Sequence, residues 1–291
     1  MKRWLACAGI ALQAASALRV DDDASTLSFK AWLTAHNASI QFDWPVETAT
    51  GRSAVASRAL AVGEPICDTP GSLLMTTLAY DADAVLSRLD PMPDVGDDYK
   101  QRLKLALVLL RERALGPASA WAPYLAILPR EPVHAFTEAE KNEFHDNVLV
   151  QAFRDRLRDL RSEFDAVVEQ LQLFDDAEAL VPSLDEWTWA REIVDTRAFT
   201  LRDVLGLPSL FVFVPGCDLL NHSPDGQWGW QESDGKSPNP WVYGGRITAY
   251  STKPVPQGRE VFISYGDELS NFYLVLVHGF VRAHAERVGM H

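Results

Sequence analysis

Cysteine is scarce in this chain: three residues in 291, at Cys7, Cys67 and Cys217, with no C-x-x-C pair. That spacing argues against a zinc cluster, and no metal site is expected. Basic residues are also in deficit, with 27 Lys and Arg against 40 Asp and Glu, a formal charge of −13. Phosphate backbones need a clustered cationic face, so nucleic acid is not an expected partner, whereas a basic peptide is compatible with the acidic balance. The apolar stretch Trp4–Ala15 is too short for a membrane span, and no stable span is expected. No G-x-S-x-G frames a serine nucleophile, so a hydrolase built on Asp218 and His222 has little support. Internal repeats are missing as well. What is present is ordinary for a globular chain: 47% hydrophobic residues, 23% charged, and nine Trp, thirteen Phe and seven Tyr to fill a core.

Residues 1–20 read as a targeting segment. Lys2 and Arg3 precede the apolar stretch, Ala15-Ser16-Ala17 is an A-x-A cleavage pattern, and Asp21–Asp23 mark an abrupt polar shift. The alternative is an N-terminal helix of the fold in a cytoplasmic protein. A cleaved leader implies the secretory pathway or an organelle reached through it. Cys67 and Cys217 fit either buried thiols or, in an exported chain, a disulfide. Asn37-Ala38-Ser39 and Asn221-His222-Ser223 are glycosylation sequons, of which the second is expected to be unused.

Along the chain, residues 28–35 predict a short amphipathic helix, and 52–70 two short strands joined by a turn through Gly63 and Pro65. From about 78 to 205 the pattern turns helical. Leu103, Leu105, Leu107, Leu109 and Leu110 stripe residues 98–115, and apolar residues three to five apart run through 137–174, with Thr137 and Glu140 as a capping pair. Ser183 and Glu186 open a further helix to Arg197. Strand-like runs return at 209–214, 242–250 and 260–265. Strands, a helical block, then strands again predict a mixed α+β fold rather than alternating βαβ units.

Two segments carry most of the functional signal. FVFVPGCDLLNHS at Phe211–Ser223 is an apolar run that turns at Pro215-Gly216, and EVFISYG at Glu260–Gly266 delivers Tyr265 to a strand end. Together they resemble the signature segments of SET-domain protein methyltransferases, in the branch of the Rubisco large-subunit methyltransferase. Weaker markers lie in matching order: Trp32, the run from Gly51 to Pro70, WAPYLAILP at Trp121–Pro129, and TRAF at Thr196–Phe199. The resemblance implies a SET-type β core of short strands over 27–282, interrupted by a helical insertion at about 78–205. Residues 283–291 would form a short tail, and the helical domain that docks substrate at the C-terminus in this branch would be absent.

The implied activity is transfer of a methyl group from S-adenosylmethionine to a lysine nitrogen of a protein substrate. A histidine target and a catalytically silent binding module are the alternatives. Such a transfer is an in-line displacement that needs positioning groups, with neither a metal nor a covalent nucleophile. By the resemblance, Tyr265 is the catalytic residue beside the methyl channel. Gly51, Arg52, Arg197, Asp218, Asn221, His222 and Phe280 are cofactor-binding, with Arg197 reaching the cofactor carboxylate and Phe280 packing on adenine. Phe199 and His278 line the substrate channel. Two positions depart from the pattern. His278 stands where a tyrosine is usual, and Ser53 where a glycine is usual, so a positive φ at 53 would carry a steric cost.

Overall fold

A computed structural model describes residues 23–48, 51–90, 92, 94–130, 146–204, 207–224, 226, 228–232, 245–266 and 269–281. The leader-like segment, Thr137 with Glu140, and residues 242–244 lie outside the described residues. Helix α1 (Ala24–Ala35) starts where Asp23 accepts the Thr26 N–H at 2.8 Å, one turn earlier than the pattern suggested. Strands β1 (Ser39–Ile40), β2 (Phe42–Thr48), β3 (Gly51–Ala56), β4 (Pro65–Pro70) and β5 (Met75–Thr76) follow. The helical block then supplies α2 (Leu78–Ala82), α3 (Asp97–Leu115), α4 (Ala122–Ile127), α5 (Asn147–Leu171) and α6 (Leu184–Arg197). Strands β6 (Phe199–Val204), β7 (Leu207–Phe213), β8 (Asn221–His222), β9 (Trp228–Glu232), β10 (Arg246–Ser251) and β11 (Phe262–Ile263) complete the core.

The mixed α+β expectation holds, with corrections at its edges. The helical insertion ends at Arg197, because Phe199–Val204 is already a strand paired with β7. Residues 52–70 do give two strands, but β3 pairs with β2 while β4 lies between β1 and β10 in a separate sheet. At α5 the cap is Asp146, which accepts from Val148 N and Leu149 N. The Ser183–Glu186 capping box forms as read: Ser183 Oγ accepts from Glu186 N, and the Glu186 carboxylate accepts from Ser183 N.

Pairing across the insertion closes the domain. Strand β4 meets β10 in the sheet β1-β4-β10-β9, and β5 meets β7 in β5-β7-β6. Helix α3 packs against α6, α2, β5 and β7. This explains why Leu105 and Leu109, which lie off the helical face shared by Leu103, Leu107 and Leu110, are buried as well. Each such side chain contributes about 1.5–3 kcal/mol by burial. No helix among the described residues is long and apolar enough to cross a membrane.

A charge network joins three helices beneath the site. Arg191 of α6 and Glu163 of α5 are each 1% exposed and form a two-pronged pair at 2.7 and 3.3 Å, and the Tyr99 hydroxyl of α3 donates to Glu163. Asp195, one turn on, receives Arg191 at 3.4 Å, Arg102 at 2.9 Å and Arg156. Burial alone would raise the Asp195 pKa, but the guanidiniums of Arg191, Arg156 and Arg102 bring it below the ordinary carboxylate value.

Candidate active site

The site forms where α6 ends, where β7 turns, and where β11 stops. Strand β7 runs through Val214 into a turn that depends on Gly216. Its φ is +97°, and a Cβ there would sit 3.1 Å from Ile40 Cγ2. Cys217–Leu219 form a 3₁₀ turn held from below by Thr69, whose hydroxyl donates to Pro215 O at 3.0 Å. Cys67 of β4 and Cys217 are joined in a disulfide with Cα atoms 5.7 Å apart, which settles the choice between thiols and a bridge. Replacing both by serine is expected to cost about 2–4 kcal/mol, near the upper end because the closed loop spans 150 residues. Thermal melts with and without reductant check this, and coincident midpoints would refute it.

Beyond the turn, β8 pairs in parallel with β11, placing Asn221 opposite Phe262 and His222 opposite Ile263. The chain then passes so close to this strand that a Cβ on Gly226 would lie 2.6 Å from the Ile263 carbonyl carbon. Distant segments are thereby brought side by side. His222 Nδ1 accepts the Tyr265 N–H at 3.1 Å, which leaves any ring proton on Nε2 in the neutral form. The Tyr265 ring lies 5.2 Å from that of His222, and its hydroxyl donates to Leu220 O at 3.0 Å. Burial raises the Tyr265 phenol to about 12, against the pull of Arg197, so it is uncharged at neutral pH.

Asn221 ties three segments together. Its Nδ2 donates to Glu260 Oε1 at 2.8 Å and approaches Arg52 O at 3.1 Å and Ser53 Oγ at 3.4 Å. The steric cost anticipated at Ser53 is not incurred: among the described non-glycine residues only Asn37 has positive φ. Ser53 is an extended, buried residue of β3 whose hydroxyl meets Thr48 Oγ at 3.0 Å. The left-handed conformation falls instead on Gly51, at φ +102°. Burial pushes the Glu260 carboxyl up, opposed by its bonds to Asn221 and Ser53.

Asp218 is a buried ionisable group of the site. Tyr124 of α4, fully buried, donates to its Oδ2 at 2.5 Å. Arg197 Nη1 donates to the Asp218 carbonyl at 2.8 Å and stands 4.0 Å from Oδ2. Its Oδ1 has no hydrogen-bond partner among the described residues. Burial raises the Asp218 pKa, with Arg197 and Tyr124 opposing.

Two cavities flank this cluster. The inner one, about 270 Å³, is lined by Arg52, Arg197, Asn221 and Phe280 together with Trp44 and Trp189. The outer one, about 430 Å³, is lined by Phe199, Ile263 and Tyr273, with Arg102 and Asp195 on its wall. Thr196, Arg197, Asp218, Tyr265 and His278 line both. Of the catalytic, cofactor-binding and channel residues expected from sequence, only Gly51 and His222 line neither cavity. Gly51 stands one residue back from the lining Arg52, and His222 stands behind Tyr265 and Phe280, 6.1 Å from the latter ring. Sequence reasoning did not assign Trp44, Glu192, Ile193 or Thr196 to the site. For the last three the helical spacing of 189, 192–193 and 196–197 from Trp189 was the available signal.

A family model described as the SET domain matches residues 51–266. Human SET domain-containing protein 4 is 28% identical over 261 residues, covering 81% of this chain and 53% of that protein. Human N-lysine methyltransferase SETD6 is 23% identical over 259 residues, covering 82% and 50%. The chloroplastic Rubisco large subunit N-methyltransferase of Pisum sativum is 28% identical over 204 residues, covering 66% and 39%. A crystal structure of the SET domain of LSMT bound to lysine and AdoHcy superposes with a TM-score of 0.72 at 22% identity, over 88% of this chain and 57% of that one. The chain spans about half the length or less of these curated relatives.

Proposed function

The chain belongs to the SET-domain family, and on that footing we propose that it is a protein methyltransferase that uses S-adenosylmethionine and methylates a lysine side-chain nitrogen. The observation that carries this reading is the pair of cavities with one common wall, Thr196, Arg197, Asp218, Tyr265 and His278. Two reactants approaching opposite sides of one transferring group need that arrangement, and holding them aligned is worth about 7–11 kcal/mol of barrier.

The inner cavity suits the cofactor by its chemistry. Arg197 offers a planar fork for a carboxylate, Phe280 an aromatic face for a base, and the buried Asp218 Oδ1 a negative pole toward a cation. Asn221 uses its side chain to clamp β3 to Glu260, so its contribution to a ligand comes through the main chain. Gly51 and His222 support the lining residues from behind. When bound, S-adenosylmethionine supplies an electrophilic methyl on a positively charged sulfur.

The outer cavity suits the stem of a lysine, with Phe199 and Ile263 as apolar walls. Tyr265 orients the amine: its proton is committed to Leu220 O, so its oxygen presents lone pairs to an N–H donor. The net charge of −13 favours a basic peptide around the target. An oxidising compartment is the proposed setting, from the leader-like start and the Cys67–Cys217 disulfide.

Incubating the protein with methyl-labelled cofactor and a fractionated lysate, followed by mass spectrometry, tests the activity and identifies the modified side chain. Micromolar cofactor binding without label transfer to any protein would replace this reading with a silent binding module. Label on histidine would change the target class. Arg197→Ala is expected to weaken cofactor binding about 10- to 100-fold by calorimetry, as for a lost charged hydrogen bond. Unchanged affinity would sink the carboxylate assignment.

A further inference from the structure

An amine attacks a methyl group only when uncharged, and free lysine keeps its proton up to a pH near 10.4. A proton acceptor on the passage therefore matters to the methyl-transfer reading, on which this inference rests. The common wall offers five side chains. Thr196 is an alcohol whose proton is donated to Glu192 O at 2.7 Å. Arg197 is permanently charged and has no acceptor. Tyr265 gives its proton to Leu220 O, and its oxygen is a very weak base. Asp218 has its Oδ2 engaged by the Tyr124 hydroxyl, and its Oδ1 is the pole assigned above to the cofactor's cation.

We propose that His278 is the catalytic residue that takes the proton from the incoming ammonium. Its ring lies 4.7 Å from Tyr265 and 6.1 Å from Phe280, half-buried where the two cavities meet. The backbone puts it there deliberately: Leu274–His278 is a π-helical turn, closed by Gly279 at φ +74°. In the step, an N–H bond of the ammonium breaks and its electron pair stays on the nitrogen. A ring nitrogen of neutral His278 binds the proton and later releases it to water through the outer cavity. The charged groups on the walls of the two cavities are Arg52, Arg102, Arg197, Glu192, Asp195 and Asp218, and Arg156 of α5, a helix packed on this turn, pairs with Asp195; Tyr265, Tyr273 and His222 complete the titratable set.

The test compares S-adenosylmethionine, a cation, with S-adenosylhomocysteine, its uncharged counterpart, on the full chain by calorimetry from about pH 5 to pH 8.5, a range bracketing the usual histidine pKa near 6.5. Protonated His278 repels only the cation, so the ratio of the two Kd values is expected to rise about ten-fold toward acid. In His278→Gln and His278→Asn the ratio is expected to stay flat. Turnover at neutral pH should fall about 10²-fold in both and recover as the pH approaches that of free lysine. A flat ratio in the unmodified protein overturns the proposal, as does an acid limb that persists in both variants, which would move the titrating group to Asp218 or His222. Failure to bind either ligand would instead remove the methyl-transfer reading, and this inference with it.

Discussion

Tyr265→Phe is expected to lower turnover about 10²-fold, in the range for removal of one preorganised polar group at a reacting centre. The expectation rests on what the hydroxyl does and what the ring does separately. The hydroxyl is anchored on Leu220 O at 3.0 Å, so its oxygen is held at a set point on the wall between the cavities. The ring packs in tilted contact with His222 and His278 at 5.2 and 4.7 Å, contacts a phenylalanine keeps. Cofactor affinity should therefore change less than about three-fold, well below one hydrogen bond's worth. Because the phenol titrates only at about 12, removing it should not abolish any inflection near neutral pH. Rates and calorimetry on the same preparation decide the matter. Parallel losses of turnover and affinity would show that Tyr265 merely supports the fold.

Arg191→Met is expected to destabilise the protein by about 3–5 kcal/mol, the cost of stranding a buried partner charge. Glu163 would lose both prongs of its ion pair while remaining 1% exposed, with Tyr99 as its remaining donor. Asp195 would keep Arg102 and Arg156, so the damage should centre on the contact between α5 and α6. Adding Glu163→Leu should restore much of the loss, since an apolar pair of similar volume avoids desolvating two charges. Denaturant unfolding of the single and double variants gives both values, and a single-variant cost below about 1 kcal/mol would place the network among exposed, weakly contributing pairs. Asp195 adds an acid limb. Its native pKa lies below the unfolded value near 3.9, so its contribution is complete above about pH 4 and fades as pH falls through the native value.

Much of this protein is written locally. The capping box at Ser183 and Glu186, the apolar residues of α3, and the Pro215-Gly216 break are decided within a few residues, where propensity and capping act. The residue types of DLLNHS and ISYG were likewise visible, and with them Arg197, Asp218, Asn221 and Tyr265 among the residues that line the two cavities. The tertiary structure alone decided that Cys67 closes on Cys217, that β8 lies parallel to β11, and that Ser53 adopts an extended rather than left-handed backbone. It also set the early end of the helical insertion, because Phe199–Val204 is recruited as a strand by pairing with β7. The hydroxyl of Tyr265 meets a carbonyl 45 residues earlier, and Asn221 meets Arg52 across 169. A side-chain pattern tells each element which face to bury, but which distant face covers it is chosen by packing and by the pairing of buried polar groups.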